Sequence, residues 1–373
     1  MPPNTDQHIE ADIVVVGGGV GGLSVAANLA RDARVVLLER EDALGYHASG
    51  RSAAYFAPAL GNAVVRALTA ASVDYYRQPR EVPLLGTRQA LHVAPAGVTA
   101  PRAQVGVAEI TAAEAIERVP ILAGDFVDRA WLEDGGGDLD VDAIMSGYRR
   151  ELQSAGGRLL LGAGVVRLAR ERERWRIDTA SGRVSAAIVV NAAGAWADEL
   201  ATLGAADGLG PLGLTPLRRT AMLIPAPELA AGQAPLASWP MVIHAAERFY
   251  FKPEAGAILL SPVDEHPSPP CDAQPEDIDV ATAVAAFEAA TDRPVARVTH
   301  RWAGLRTFVA DRSFVVGPDP RAPGFFWHAA LGGYGVQTAP GLARLGADLI
   351  KGNTLTATEA ALAEQVSPAR LLA

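Results

Sequence analysis

Gly17, Gly19 and Gly22 stand in the spacing G-x-G-x-x-G, and Glu39 follows 22 positions after the first of them. That spacing suits a dinucleotide. The first glycine permits a tight strand-to-helix turn, the second lets the backbone approach a pyrophosphate, and the third lets the helix pack on its sheet. The anion then meets unpaired helix amides at the positive end of a helix dipole. A carboxylate about twenty residues further on can accept from both ribose hydroxyls, and a carboxylate there instead of an arginine argues against a 2′-phosphate. These residues point to NAD or FAD and do not choose between them. The competing reading is a plain glycine-rich turn.

The elements that must position these residues argue against a plain turn. Ile13 to Val16 is an apolar, β-branched run of the buried-strand kind. A helix is expected over residues 20–30, and a second apolar run over 34–38 closes on Glu39. The small-residue segment 42–54 follows, with Ser49, Gly50, Arg51 and Ser52 offering hydroxyls, amides and a guanidinium that can bind a diphosphate in bidentate fashion. Arg51 as an ordinary surface arginine is the plainer alternative. Near the other end, Gly332-Gly-Tyr-Gly335 reads as a turn feeding a helix whose N-terminus could favour an anion, or as a glycine turn with no ligand.

Between these ends the pattern alternates. Helices are expected over 63–76, 111–119, 141–155, 280–291 and up to about 350, with Thr111 and Glu114 forming a capping box. Residues 83–94 read as a strand pair turning at Gly86-Thr87, and strands dominate from about 217. Arg170, Arg172, Arg174 and Arg176 alternate with Glu171, Glu173 and Trp175, which suits the exposed face of one strand. At 373 residues two domains are the default. The order of elements interleaves them. Residues 1–60, 140–216 and 300–373 are expected to form an α/β, Rossmann-like nucleotide-binding domain. Residues 61–139 and 217–299 are expected to form an α+β substrate domain on a mixed or antiparallel sheet.

The composition excludes several classes. A net charge of −9 with no lysine/arginine block argues against nucleic acid as a partner. One cysteine, Cys271, makes neither an intrachain disulfide nor a metal site. No secretory signal and no run near 18 apolar residues is visible, so the expectation is a soluble, cytoplasmic enzyme.

Four blocks spanning nearly the whole chain resemble the D-amino acid oxidase superfamily, which includes glycine oxidase, sarcosine oxidase and D-amino acid dehydrogenases. They are VVVGGGVGGLSVA with LLERED, GYHASGRSAA, VVNAAGAWADELA, and the pair WAGLRTFVADRSFVVGPDP with GGYGVQTAPGLARLGADLI. YHASGRSAAYF, VRALTAAS, LTPLRRTA, WPMV and FYFKP bring the chain nearest to the FAD-dependent D-arginine dehydrogenase type. The resemblance implies non-covalent FAD, since Cys271 lies outside the matched blocks. It puts Val165 and Val166 against the adenine through the backbone and Ala193 and Gly194 near the flavin. Arg40, Trp196, Gly304, Gly332, Gly333, Tyr334, Gly335, Val336 and Gln337 belong to the same expected cofactor surface.

On the substrate side a carboxylate needs a cationic clamp. Arg306 and Arg219 are the candidates, because guanidinium matches carboxylate geometry, and Tyr250 can add a hydroxyl. The resemblance assigns these three to the carboxylate and the Gly333 carbonyl to the amine. Arg218 could instead be the inward residue, since strand neighbours face opposite ways. Tyr250 could be a core aromatic. The lid histidine and tyrosine of the D-arginine type are replaced by Tyr55 and Leu60, and its side-chain-binding glutamate by Ala90. With Ala57, Met241 and Ile243 the expected pocket is apolar, and a buried guanidinium would be left unpaired there. The expected reaction is oxidation of a neutral or hydrophobic D-amino acid or N-substituted glycine, by hydride transfer from Cα to flavin N5. The electron acceptor is O2 or a quinone-type carrier. The alternatives are an N-carboxymethyl amino acid oxidase with a long substituent near Leu60 and Ala90, an NAD-dependent dehydrogenase, and a flavin-binding protein without turnover.

Overall fold

The structure, a computed structural model, describes residues 8–98 and 106–372. Ile13–Val16 is a strand buried at every position. It lies at the middle of a six-stranded sheet, parallel to Val35–Leu38 on one side and Ile188–Asn191 on the other. Arg158–Leu160 and Phe325–Ala329 extend the parallel run, and Val315–Pro318 closes it antiparallel. A parallel sheet covered on both faces needs strands that are apolar throughout. Ile13, Val15, Leu37 and Val190 face the helices Val20–Leu29, Val141–Ser154 and Gly335–Lys351. Val14, Val36 and Val189 face a second, four-stranded sheet through Trp175, Ile177 and Val184.

A nine-stranded mixed sheet forms the other half. Its long strand Thr215–Pro225 pairs with His300–Phe308 and with Ala257–Ser261, both antiparallel. Strand alternation divides its residues between two faces. Met222, Ile224, Val242, Phe251 and Leu260 pack under the helices Ala112–Arg118 and Asp277–Thr291. Arg219, Tyr250 and Arg306 lie on the opposite face, towards the nucleotide-binding half.

Several expectations need correction. His300–Phe308 is part of the nine-stranded sheet, so the substrate domain runs past 300, and the cut at 300 divides one sheet from its own strand. The helix expected over 63–76 is two helices, Ala63–Ala70 and Val73–Arg77, and both lie with the nucleotide-binding half, where Val65, Leu68 and Tyr76 join Leu342 in one core. The cut at 61 therefore falls too early. Residues 83–94 hold one strand, Ala90–Ala94; Leu85 and Gly86 bond instead to Leu139 and Asp138. The arginine alternation spans a hairpin, with Arg172 at φ 60° in its turn. No helix among the described residues is long and apolar enough to cross a membrane.

Candidate active site

A cavity of about 620 Å³ lies between the two halves, and the glycine turn forms one of its walls. Gly17 adopts φ +111°, and a Cβ there would lie 2.3 Å from the Ala192 carbonyl oxygen. A Cβ on Gly22 would lie 1.9 Å from the Gly17 oxygen, so this glycine sits behind the turn and lets the helix close on it. Gly19 borders the cavity itself. Glu39 is buried, and its Oε2 accepts from the Gly18 amide at 2.6 Å while Oε1 accepts from Glu41 at 2.9 Å. Both bonds fix a carboxylate that still lines the cavity. Ser49 Oγ accepts from the Val20 amide at 2.9 Å, which caps the helix from outside and leaves the hydroxyl proton free to donate.

The structure brings Arg40, Ser52, Val166, Ala193, Gly194, Trp196, Gly304, Gly332, Gly333, Gly335 and Val336 to the cavity wall as well. Arg40 stacks over Trp196 at 4.4 Å. Four expectations on the cofactor side change. Arg51 borders the cavity, but its guanidinium is held by the Asp272 carboxylate and the carbonyls of Ala273 (3.0 Å) and Ala303 (2.9 Å), so it is not free to clamp a diphosphate. Gly50 makes a tight turn, donating to the Gly45 carbonyl at 2.8 Å, and does not line the cavity. Tyr334 turns away to pack on Phe308 and Phe314. Gln337 is buried and brackets the segment at Ala57: its Oε1 accepts from the Ala57 amide at 3.1 Å and its Nε2 donates to Thr69 Oγ1 at 2.9 Å. One helical step beyond Val336 carries it off the cavity face.

Sequence reasoning missed three wall residues. His47 stands 4.5 Å from Trp196, ring to ring, with Nε2 at 2.9 Å from Glu41. His328 is buried against Gly21 and Gly346, neither ring nitrogen has a hydrogen-bond partner among the described residues, and burial lowers its imidazole to about 4. Cys271 reaches the cavity edge, so distance along the chain from the matched blocks is not distance from the site. Its place on the Pro-rich segment 267–275 carried no periodic signal that could have shown this.

On the substrate side the register decides. Arg219 stands opposite Gly304, and Leu217 opposite Arg306, so both arginines share one face of neighbouring strands. Arg218 points away, to Glu276 and Asp279. Arg219 is buried, with Nε donating to the Asp264 carbonyl at 2.7 Å and Nη2 to Glu265 at 3.2 Å. Arg306 opens on the cavity, and its guanidinium has no hydrogen-bond acceptor among the described residues, while its backbone lies in the ladder opposite Leu217. Burial and then repulsion by Arg219 lower its guanidinium to about 10. It remains a cation at neutral pH. Tyr250 is buried on the same wall.

The expected apolar lining lies elsewhere. Met241 packs with Tyr250 beneath the wall, and Ile243 and Tyr55 flank that cluster; the Tyr55 hydroxyl donates to the Arg88 carbonyl at 2.8 Å. Ala57 is buried in the Gln337 bracket, and Leu60 is exposed to solvent. Ala90 is buried opposite Glu133, whose carboxylate is taken up by His92 (3.0 Å) and the Ala59 amide (3.2 Å). None of these six borders the cavity. The comparison that suggested them followed sequence position; the sheet register instead buries Ala90 opposite Glu133, and Leu60 faces solvent.

The cradle fits FAD on this chain's own features: two glycines whose Cβ atoms would clash, helix amides facing the cavity, a fixed carboxylate, and a second helix N-terminus at Gly335. The family model "FAD dependent oxidoreductase" (DAO) matches residues 12–349. The chain is 25% identical over 416 residues to FAD-dependent oxidoreductase domain-containing protein 1 of Bos taurus, covering 94% of this chain and 82% of that protein. Glycine oxidase from Geobacillus kaustophilus superposes with a TM-score of 0.77 at 22% identity, covering 93% of this chain and 96% of the other. L-proline dehydrogenase from P. horikoshii gives 0.80 at 20% identity, with 98% and 99% covered. Iminodiacetate oxidase from Chelativorans sp. BNC1 gives 0.77 at 20% identity, with 95% and 98% covered. At these identities the superpositions speak for the fold. With its fold, its nucleotide cradle and a family match over most of its length, this chain belongs to the DAO family of FAD-dependent oxidoreductases.

Proposed function

We propose that the protein oxidises a neutral or apolar D-amino acid or N-substituted glycine at the bond between Cα and nitrogen. The observation that carries this reading is Arg306, a cation on the cavity wall whose guanidinium has no acceptor among the described residues. A guanidinium in that state calls for an anion with two acceptor oxygens, and a substrate carboxylate supplies them. Arg219 and Tyr250 stand on the same wall beside it. The Gly333 carbonyl is the acceptor we assign to the substrate amine. Bound FAD supplies the acceptor for the Cα hydrogen. The residues of this chain hold the carboxylate, orient Cα and keep water out, and no strong base is required when the amine is bound neutral. The imine product then hydrolyses in water to an oxo acid and an amine. Electrons leave to O2 or to a quinone-type carrier.

The neutral preference rests on the cavity's own carboxylates. Among its described lining residues these are Glu39 and Glu199, both from the nucleotide-binding half. A cationic side chain would therefore meet no unengaged carboxylate near Arg306: Glu265, the acid whose charge acts on Arg306, is already held by Arg219 and Arg312, and Glu133 by His92 and Ala59. Leu60 and Ala90 lie off the cavity, so the space argument for a long N-substituent finds no support there. The test is anaerobic flavin reduction across D- and L-alanine, D-valine, sarcosine, D-arginine and D-lysine. Fastest bleaching by a neutral D-amino acid or by sarcosine is expected; fastest bleaching by D-arginine or D-lysine would refute the charge argument.

A further inference from the structure

Arg219 belongs to a charged cluster that extends from the cavity wall to the surface. Glu265 Oε1 accepts from Arg219 Nη2 at 3.2 Å and from Arg312 Nη2 at 2.8 Å, and its Oε2 accepts from Arg312 Nη1 at 3.1 Å. One carboxylate thus bridges a buried guanidinium and an outer one. Arg312 in turn lies 3.8 Å over the Phe308 ring, and a Cβ on Gly332 would meet that same ring at 2.4 Å. The backbone at both ends of the bridge is strained. Val263 holds φ +58° and Arg312 φ +56°, and a β-branched residue adopts that region only when its surroundings impose it. What imposes it is the seating of the next two residues. The Asp264 side chain accepts from the Thr220 amide (2.7 Å) and from Thr220 Oγ1 (3.0 Å), its carbonyl accepts from Arg219 Nε, and Glu265 then meets Arg219 Nη2.

The charges can be counted. On the cavity side Arg219, Arg306 and Arg312 contribute three positive charges and Asp264 and Glu265 two negative ones, a remainder of +1. Arg218, whose Nε also lies 4.0 Å from Asp264, is directed to Glu276 and Asp279 and stands outside this cavity-side group. That remainder sits on Arg306, which has no acidic partner among the described residues, whereas Arg219 and Arg312 both meet Glu265. We infer that Glu265 sets the charge selectivity of the substrate cavity: by engaging Arg219 and Arg312 it leaves Arg306 as a seat for one carboxylate and withholds a second. Glu265 is a positioning residue acting through Arg219, and the site it shapes selects monocarboxylates over dicarboxylates. This rests on the reading of Arg306 as the carboxylate seat. Without Glu265 the remainder becomes +2, and the freed Arg219 and Arg312 offer a second anion site next to the first.

The test uses the FAD-loaded protein and two unreactive probes, acetate and malonate, titrated by their perturbation of the flavin absorbance. In the wild type acetate is expected to bind, and Arg306→Ala to abolish that binding. Glu265→Gln is expected to improve malonate affinity relative to acetate about fivefold or more, a modest figure because the Glu265 side chain is 34% exposed. Arg312→Gln, at a surface position, brings the remainder to zero and is expected to weaken acetate several-fold without favouring malonate. A malonate-to-acetate ratio in Glu265→Gln within about twofold of the wild type overturns the inference while leaving the carboxylate seat intact. Should Glu265→Gln fail to hold flavin, unchanged acetate binding in Arg312→Gln overturns it. Absence of acetate binding in the wild type overturns both the seat and the inference.

Discussion

Gly333 stands so close to Arg306 that a Cβ on it would lie 2.8 Å from Arg306 Nη1. The turn ahead of the helix Gly335–Lys351 and the strand His300–Phe308 come from different halves of the molecule, and they meet at this contact. The glycine is therefore a spatial allowance for the guanidinium as well as part of a turn. Gly333→Ala should displace the tip of a flexible side chain without breaking the fold. We expect carboxylate affinity to fall about tenfold with flavin content unchanged, measured by substrate KM and by the flavin-to-protein absorbance ratio.

Gly17 has no such freedom. Its φ of +111° and the 2.3 Å approach of the Ala192 carbonyl leave no place for a side chain. Gly17→Ala should cost about 1–3 kcal/mol through backbone strain and push the strand Ile13–Val16 away from Ile188–Asn191. The expected result is a lower Tm together with substoichiometric flavin after purification.

Gln337 separates structural from cofactor roles. Gln337→Ala strands the Ala57 amide and removes a bond to Thr69 in a buried place. A loss of about 1–3 kcal/mol in denaturant unfolding is expected, with flavin affinity near that of the wild type. A large loss of flavin affinity at unchanged stability would return Gln337 to the cofactor surface.

His328 gives a pH signature. Burial depresses its imidazole from 6.5 to about 4, so below pH 6.5 the unfolded chain takes up a proton that the folded chain refuses. The stability this residue allows is full above about 6.5 and is lost as pH falls towards 4, by about 3 kcal/mol in total. His328→Leu should flatten the fall in stability across that window relative to the wild type. Unfolding free energies at pH 8, 6 and 4.5 check it.

Much of the nucleotide-binding half was legible in the chain. Ile13–Val16, Gly17 and Glu39 are contiguous in sequence, and local sterics tie them to one turn, so spacing alone describes them. The capping box at Thr111 and Glu114 was legible for the same reason. What failed depended on pairing between distant segments. Arg51 looked free because Asp272 is 221 residues away in sequence. The apolar pocket was drawn from Tyr55, Leu60 and Ala90, yet register places Ala90 opposite Glu133 and off the cavity. Glu265 belongs to no matched block, His47 sits within GYHASGRSAA without a role that its spacing shows, and only folding shows what they touch. The domain cut at 300 failed because a strand's sheet is chosen by its partner, here Thr215–Pro225.

The central claim is that Arg306 seats a substrate carboxylate in an FAD-dependent amino acid oxidoreductase. The most direct measurement is anaerobic stopped-flow reduction of the bound flavin by the best substrate of the screen, in the wild type and in Arg306→Ala. Loss of charge-assisted bonds worth about 1.5–3 kcal/mol predicts an apparent substrate Kd roughly 10- to 150-fold weaker in the variant, with flavin still bound. Equal substrate Kd in the two proteins, or a wild-type flavin that no amino acid reduces, would contradict the account.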